Sequence, residues 1–218
     1  MKIEGLNIED NGNDNVINID EGSIFRGCKI IIKGDNNFIH LGKALLYKGL
    51  VLNLKGNNKR FEVKESNKNI CNVKFTSIRG NNQVFTIGKN LSCGGIEVQM
   101  NDGDETFTIG DGGLFSWGIK VRTSDGHSVV DMATNRAINL PKDVHIGDRV
   151  WIGEDVRFLK GAEIPSDCVI GSGAVVTKAF TQSNCVIAGF PAKVVKNDIL
   201  WDRRMPREFN KIDGNKNK

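Results

Sequence analysis

From Ile146 to Val176 an aliphatic or aromatic residue recurs at every sixth position: Ile146, Ile152, Phe158, Ile164, Ile170 and Val176. Four residues after each of the first five comes a second apolar side chain, mostly small: Val150, Val156, Ala162, Cys168 and Ala174. A helix repeats its apolar face at three and four residues, and a half-buried strand alternates. A period of six does neither. It suits a chain that turns a corner every six residues and sends one side chain from each short side into the centre of a prism. The phase is unbroken over six units, so this stretch predicts a parallel β-helix.

The N-terminal half repeats with a longer unit. Gly12-Asn13-Asp14-Asn15, Gly34-Asp35-Asn36-Asn37, Gly56-Asn57-Asn58, Gly80-Asn81-Asn82 and Gly103-Asp104 each precede a short apolar run. Aligning Ile19, Leu41, Val63, Ile87 and Ile109 gives steps of 22, 22, 24 and 22 residues. Three hexads need only about 18, so each early coil carries extra residues at its corners. Gly and Asn tolerate positive φ and suit such corners. Stacked coils then place the asparagines above one another, where their amides hydrogen-bond along a ladder.

At 218 residues the chain fits one domain, read as an all-β helix over 1–196 with a short capping segment over 197–218. Its 25 glycines and 39% hydrophobic content suit many corners around a narrow core. A net charge of +4 gives no reason to expect a nucleic-acid partner. No run approaches the ~18 apolar residues of a membrane span, so no membrane insertion is expected. Five cysteines without a C-x-x-C pair read as reduced thiols in a cytoplasmic protein. Asn197 or Asp198 is expected to cap a helix through Ile199, Leu200 and Trp201 that ends before Pro206 and closes the prism. The tail after Glu208 is expected to be disordered.

Residues 122–141 break the beat, with a polar middle and no core-facing spacing, and read as a loop protruding from the prism. Loops on rigid scaffolds are where chemistry gathers. Ser124-Asp125-Gly126-His127 lies in this loop, Ile146-Gly147-Asp148-Arg149-Val150-Trp151-Ile152-Gly153 follows it, and Ala188-Gly189-Phe190-Pro191-Ala192-Lys193 lies near the end. Together these motifs resemble the hexapeptide-repeat acetyltransferases, and among them the O-acetyltransferases of bacterial surface polysaccharides, including those acting on polysialic acid. The resemblance is specific over about residues 100–202 and extends to residues 1–100 only as a coil pattern. It implies a left-handed parallel β-helix, an exception to the usual right-handed crossover. It further implies a homotrimer with active sites between subunits, acetyl-CoA as the donor and a glycan hydroxyl as the acceptor.

Of the three histidines, His40 and His145 read as surface or interface residues, whereas His127 follows a glycine in the loop and matches the family pattern. A neutral imidazole with a pKa near 6.5 suits a general base at neutral pH. His127 is thus expected to deprotonate a sugar hydroxyl attacking the thioester, with its second ring nitrogen oriented by Asp125, Asp131 or a carbonyl. Trp151, 24 residues further on, is expected to face the same groove, its indole N–H or a backbone N–H stabilising the oxyanion. Trp117 and Trp201 read as packing residues. By resemblance, Gly153 and Ala174 let the pantetheine arm approach the coils, while Lys178, Lys193 and more weakly Lys160 meet the phosphates. Arg122, Asp125 and Arg136 are the candidates for holding an anionic acceptor.

Two other classes compete. A zinc hydratase on the same fold needs three converging histidines, which this spacing does not offer, so no metal is expected. A non-catalytic β-helix rod would lack the loop and its histidine. Within catalysis, N-acetylation of a nucleotide-linked amino sugar is the rival to O-acetylation.

Overall fold

The computed structural model describes residues 3–213. Each circuit of the chain adds one short strand to each of three parallel sheets, here called A, B and C. Sheet A stacks eight strands from Leu6–Asp10 to Val175–Val176, and sheet B seven from Val16–Ile19 to Glu163–Ile164. Sheet C climbs from Ile24–Arg26 to Val186–Ala188 and ends on an antiparallel strand, Lys193–Lys196.

The six-residue beat lands one residue on each face in turn. Ile146 and Ile164 point inward from B, Ile152 and Ile170 from C, and Phe158 and Val176 from A, none more than 3% exposed. The smaller set from Val150 to Ala174 is fully buried, filling the space behind the corners. In the looser half, Ile19, Leu41, Val63, Ile87 and Ile109 pair in register through sheet B and continue to Ile146 and Ile164. Phe61, Phe85 and Phe107 follow one another on successive coils, Phe61 edge-on to Phe85 with centroids 5.2 Å apart and Phe85 stacked on Phe107 at 4.7 Å, and Phe75 of sheet A fits edge-on against Phe85 at 5.4 Å. These wide aromatic layers sit where the coil is longest.

The corners behave as their composition predicts. Asp14, Asn36, Asn58, Asn82 and Asp104 all have φ between 54° and 63°. Side chains bridge the coils above and below: Asn57 Oδ1 accepts from the Asp35 N–H at 2.9 Å, Asn81 Oδ1 from the Asn57 N–H at 2.8 Å. The ladder is therefore as much backbone-to-amide as amide-to-amide. Gly34 is obligatory, since a Cβ there would lie 2.3 Å from the Gly56 carbonyl oxygen of the next coil.

Behind these corners runs a buried polar column of Asn37, Lys59, Gln83 and Glu105, each 2% exposed or less. The Lys59 ammonium donates to Ser77 Oγ at 2.7 Å and to the carbonyls of Ser77 and Arg79. Burial pulls its pKa down to about 8, with Glu105 acting weakly in the other direction.

The C-terminal segment departs from expectation. Residues 197–205 are not helical, and Asp198 adopts a positive φ of 56°, which is no helix cap. The helix runs instead over Pro206–Asp213, where proline's fixed φ suits the first turn. It lies beside sheet C, with Phe209 near Val169 and Val186, rather than over the open end of the prism. The expected tail is helical as far as Asp213, and residues 214–218 lie outside the described residues. Among the described residues no helix is long and apolar enough to cross a membrane.

Candidate functional site

The interrupting loop leaves the prism at the edge between sheets A and B, between the strands Ile119–Arg122 and Val144–Ile146. Its first residues stay inside. Thr123 is fully buried and donates its hydroxyl to Glu105, the last member of the polar column, at 3.1 Å. The Lys142 N–H closes the loop's foot on the Thr123 carbonyl at 3.0 Å. The chain emerges only at Asp125, and its far end is a small hairpin pairing Val130–Asp131 with Arg136–Ala137. The Asp131 carboxylate accepts from the Thr134 N–H and hydroxyl at 2.7 and 2.8 Å, which closes the hairpin tip and lowers the Asp131 pKa.

Asn139 is the centre of the loop's fastening. Its Nδ2 donates to Asp125 Oδ2 and to the His127 carbonyl, both at 2.8 Å, and its Oδ1 accepts from the Val129 N–H at 2.7 Å. Lys160, one coil further on at the same edge, donates to Asp125 Oδ2 at 2.5 Å and to the Asn139 carbonyl at 2.7 Å. Lys160 first, and Asn139 second, hold the Asp125 carboxyl below the usual carboxylate range. The backbone of His127 is thus gripped from both sides. Its exposed imidazole has no hydrogen-bond partner among the described residues. The two carboxylates expected to orient that ring are both engaged elsewhere in this copy, Asp125 on Lys160 and Asp131 on Thr134.

Trp151 stands on the outer side of sheet C, between Leu114 and Val169 in the ladder, and is 41% exposed. Its indole N–H likewise has no partner among the described residues. Trp201 leans against it with centroids 6.2 Å apart and donates its own N–H to the Arg149 carbonyl at 2.6 Å, a packing role as expected. Trp117 is 60% exposed, so its expected packing role fails; its indole lies on the surface at a corner, over Gly94 and beside Gly95, and not in the core. Beside Trp151 an apolar groove opens between sheet C and the C-terminal segment, lined by Val169, Val186, Leu200 and Phe209.

A single copy does not bring His127 and Trp151 into one groove. Between them the chain crosses the whole of face B, and the A/B edge lies opposite face C. The other sequence candidates divide along the same line. Arg122 ends a sheet A strand at the A/B edge, Arg136 lies on the hairpin, and Lys178 extends over the Phe180 ring at 5.5 Å. Gly153, Ala174 and Lys193 belong to the edge between C and A. Gly153 has a packing reason of its own, because a Cβ would sit 2.7 Å from the Ser172 backbone nitrogen. Ala174 is fully buried, with its N–H and C=O both bonded to backbone. Lys160, read as a phosphate ligand, has its ammonium committed to the loop's foot. Asn139 escaped sequence reasoning altogether, for nothing in Ala137-Ile138-Asn139-Leu140 announces a clamp.

The model of the bacterial transferase hexapeptide (six repeats) matches residues 143–178. The polysialic acid O-acetyltransferase of Escherichia coli O1:K1 / APEC is 34% identical over 118 residues, which is 54% of this chain and 38% of that relative. The chain thus matches well under half of that relative's length. Two solved structures extend the likeness to the whole fold. The polySia-specific acetyltransferase NeuO superimposes with a TM-score of 0.77 at 28% identity, covering 94% of this chain and 85% of the other. The polysialic acid O-acetyltransferase OatWY gives 0.68 at 27% identity, with coverage of 97% and 98%. On its repeat, its coils and these likenesses, the chain carries the bacterial transferase hexapeptide repeat over residues 143–178 and is similar in sequence and fold to the polysialic acid O-acetyltransferases.

Proposed function

We propose that the protein transfers the acetyl group of acetyl-CoA to a hydroxyl of a bacterial surface glycan, with His127 as general base, in a site assembled between copies of a homotrimer. The observation that carries this reading is the pair of unpartnered polar groups: an imidazole held out from one edge and an indole N–H beside an apolar groove on the opposite face. Neither group is used by its own copy. Across a contact between copies each supplies what the other lacks.

His127 takes the proton of the acceptor hydroxyl as its oxygen bonds to the thioester carbonyl carbon. The tetrahedral oxyanion needs a donor, and the free Trp151 N–H is well suited to that role. Collapse breaks the C–S bond, and the departing thiolate takes the proton back from the imidazolium. The apolar groove beside Trp151 suits the uncharged pantetheine arm, and exposed lysines such as Lys178 and Lys193 suit the phosphates. Expression in the cytoplasm, where acetyl-CoA is made, is part of the same reading.

The test is His127→Ala. Acetyl transfer, followed as free thiol release with surface glycans as acceptors, should fall by about 10²–10⁴-fold. Acetyl-CoA binding by calorimetry and the oligomer's size should not change. Near-normal turnover in this variant would remove His127 from the mechanism.

A further inference from the structure

The outer side of sheet A carries a charge pattern that neither the fold nor the proposed chemistry uses. Lys33, Lys55, Lys74, Lys120, Arg122 and Arg157 all project outward from it and are exposed. None of the six makes an ion pair with a carboxylate among the described residues. Of the two acids on the face, Glu9 pairs with Lys29 at 2.8 Å, and Glu97, which accepts from the Gln99 amide at 3.0 Å, lies in register between Lys74 and Lys120 and offsets one charge of the six. Register brings the cations together, since Lys33 lies beside Lys55 on adjacent strands and Lys120 beside Arg157. From the strand of Lys33 to that of Arg157 is five steps of the sheet, about 24 Å at ~4.8 Å per strand.

Two features give this face a direction and leave it open. Arg122 is the last residue of its strand, three before the loop emerges with His127, so the track ends at the candidate base. A face on which cations so outnumber acids also repels copies of itself, which disfavours its packing about a symmetry axis and leaves it to solvent. A neutral acceptor gains nothing from charges spread along such a length. A chain with one carboxylate per sugar meets them in sequence.

Building on the acceptor class proposed above, we infer that the outer face of sheet A is a binding track for a polyanionic, carboxylate-bearing glycan, which it threads toward His127. Such binding releases counterions from the chain and weakens as salt rises.

The experiment compares wild-type protein with the triple variant Lys33→Glu, Lys55→Glu, Lys74→Glu, whose changes lie at the end of the track away from the loop. The probes are fluorescent polysialic acid polymer, a sialic acid dimer, neutral dextran and a DNA oligonucleotide. Equilibrium binding of the polymer should weaken by about ten-fold or more, and its salt dependence should flatten. The KM for transfer to the polymer should rise in step, while that for the dimer, too short to reach the far cations, changes less than about two-fold. Salt-sensitive polymer binding without transfer to any acceptor would sink the proposed reaction and leave the track standing. Transfer with polymer binding and KM unaffected by the triple change overturns the track. So does binding of DNA as tight as that of the polymer, or dissociation of the oligomer by the triple variant, which would make the face an interface.

Discussion

His127 has a fixed backbone and a free ring, and Asn139 is the residue that separates the two. One amide nitrogen ties Asp125 to the His127 carbonyl, and the amide oxygen takes the Val129 N–H, so three loop residues are set by one side chain. Asn139→Ala leaves the coil core untouched and frees the segment that carries the imidazole. An ångström of misplacement at a reacting group costs up to about 10²-fold in rate. The expected result is a kcat lower by about 10- to 100-fold with the KM for acetyl-CoA unchanged, partly recovered in Asn139→Gln, which retains the amide. A rise in KM alone, or a loss of thermal stability that accounts for the lost activity, would make Asn139 an ordinary structural residue. At this scale the sequence was only partly legible. His127 stood out because its motif is local, four residues long. The clamp joins positions 125, 139 and 160, and separation hides it; Lys160 consequently read as a phosphate ligand when its charge is spent on Asp125.

The coils were the most legible elements. Register repeats along a solenoid, so the sequence period is also the spatial period, and the steps of 22 and 24 residues reappear as strand partners. The C-terminal helix was misplaced because a single short element has no period, and its position follows from packing of Phe209 and Trp201 against sheet C. The polar column was hidden for another reason: Asn37, Lys59, Gln83 and Glu105 read as corner residues, and only the prism turns them inward. Lys59 makes the column testable. Its pKa in the folded chain is near 8, below the ordinary 10.5, because burial penalises the ammonium. Below pH 8 both folded and unfolded chains carry the proton, and the penalty is fully present. Between about 8 and 10.5 the unfolded chain binds more protons, so stability from this group rises with pH. Relative to Lys59→Met, the wild-type protein should gain about 2 kcal/mol from pH 7 to pH 10, read from urea unfolding curves. Parallel pH profiles for the two proteins would mean that water reaches Lys59 and that the column is not dry.

For the whole molecule, the consequence of the geometry is that catalysis and assembly become the same question. His127 lies on the A/B edge and Trp151 on the opposite face, and the loop between Val129 and Leu140 exposes Met132 at 99%, Ile138 at 64% and Leu140 at 65%. So much apolar surface on a protruding hairpin marks a contact with another molecule. In the cyclic trimer proposed above every contact is the same heterologous junction, and the proposal sets one copy's loop against the next copy's face C. Each site then takes His127 from one chain and Trp151 from its neighbour. Two inactive variants, His127→Ala and Trp151→Ala, should therefore complement each other. Random assembly of equal amounts gives about three mixed trimers in four, each with one intact site of three, so the mixed trimers, once selected, carry about a third of wild-type activity. The measurement is acetyl transfer by co-expressed variants carrying different affinity tags, purified over both, against each variant alone. Mixed trimers as inactive as their parents would place the base and the indole in the same copy's site, and the face that separates them here would have to be bridged some other way. About a third of the activity, by contrast, requires that loop and face meet only between chains, because no single chain in the mixture carries both residues.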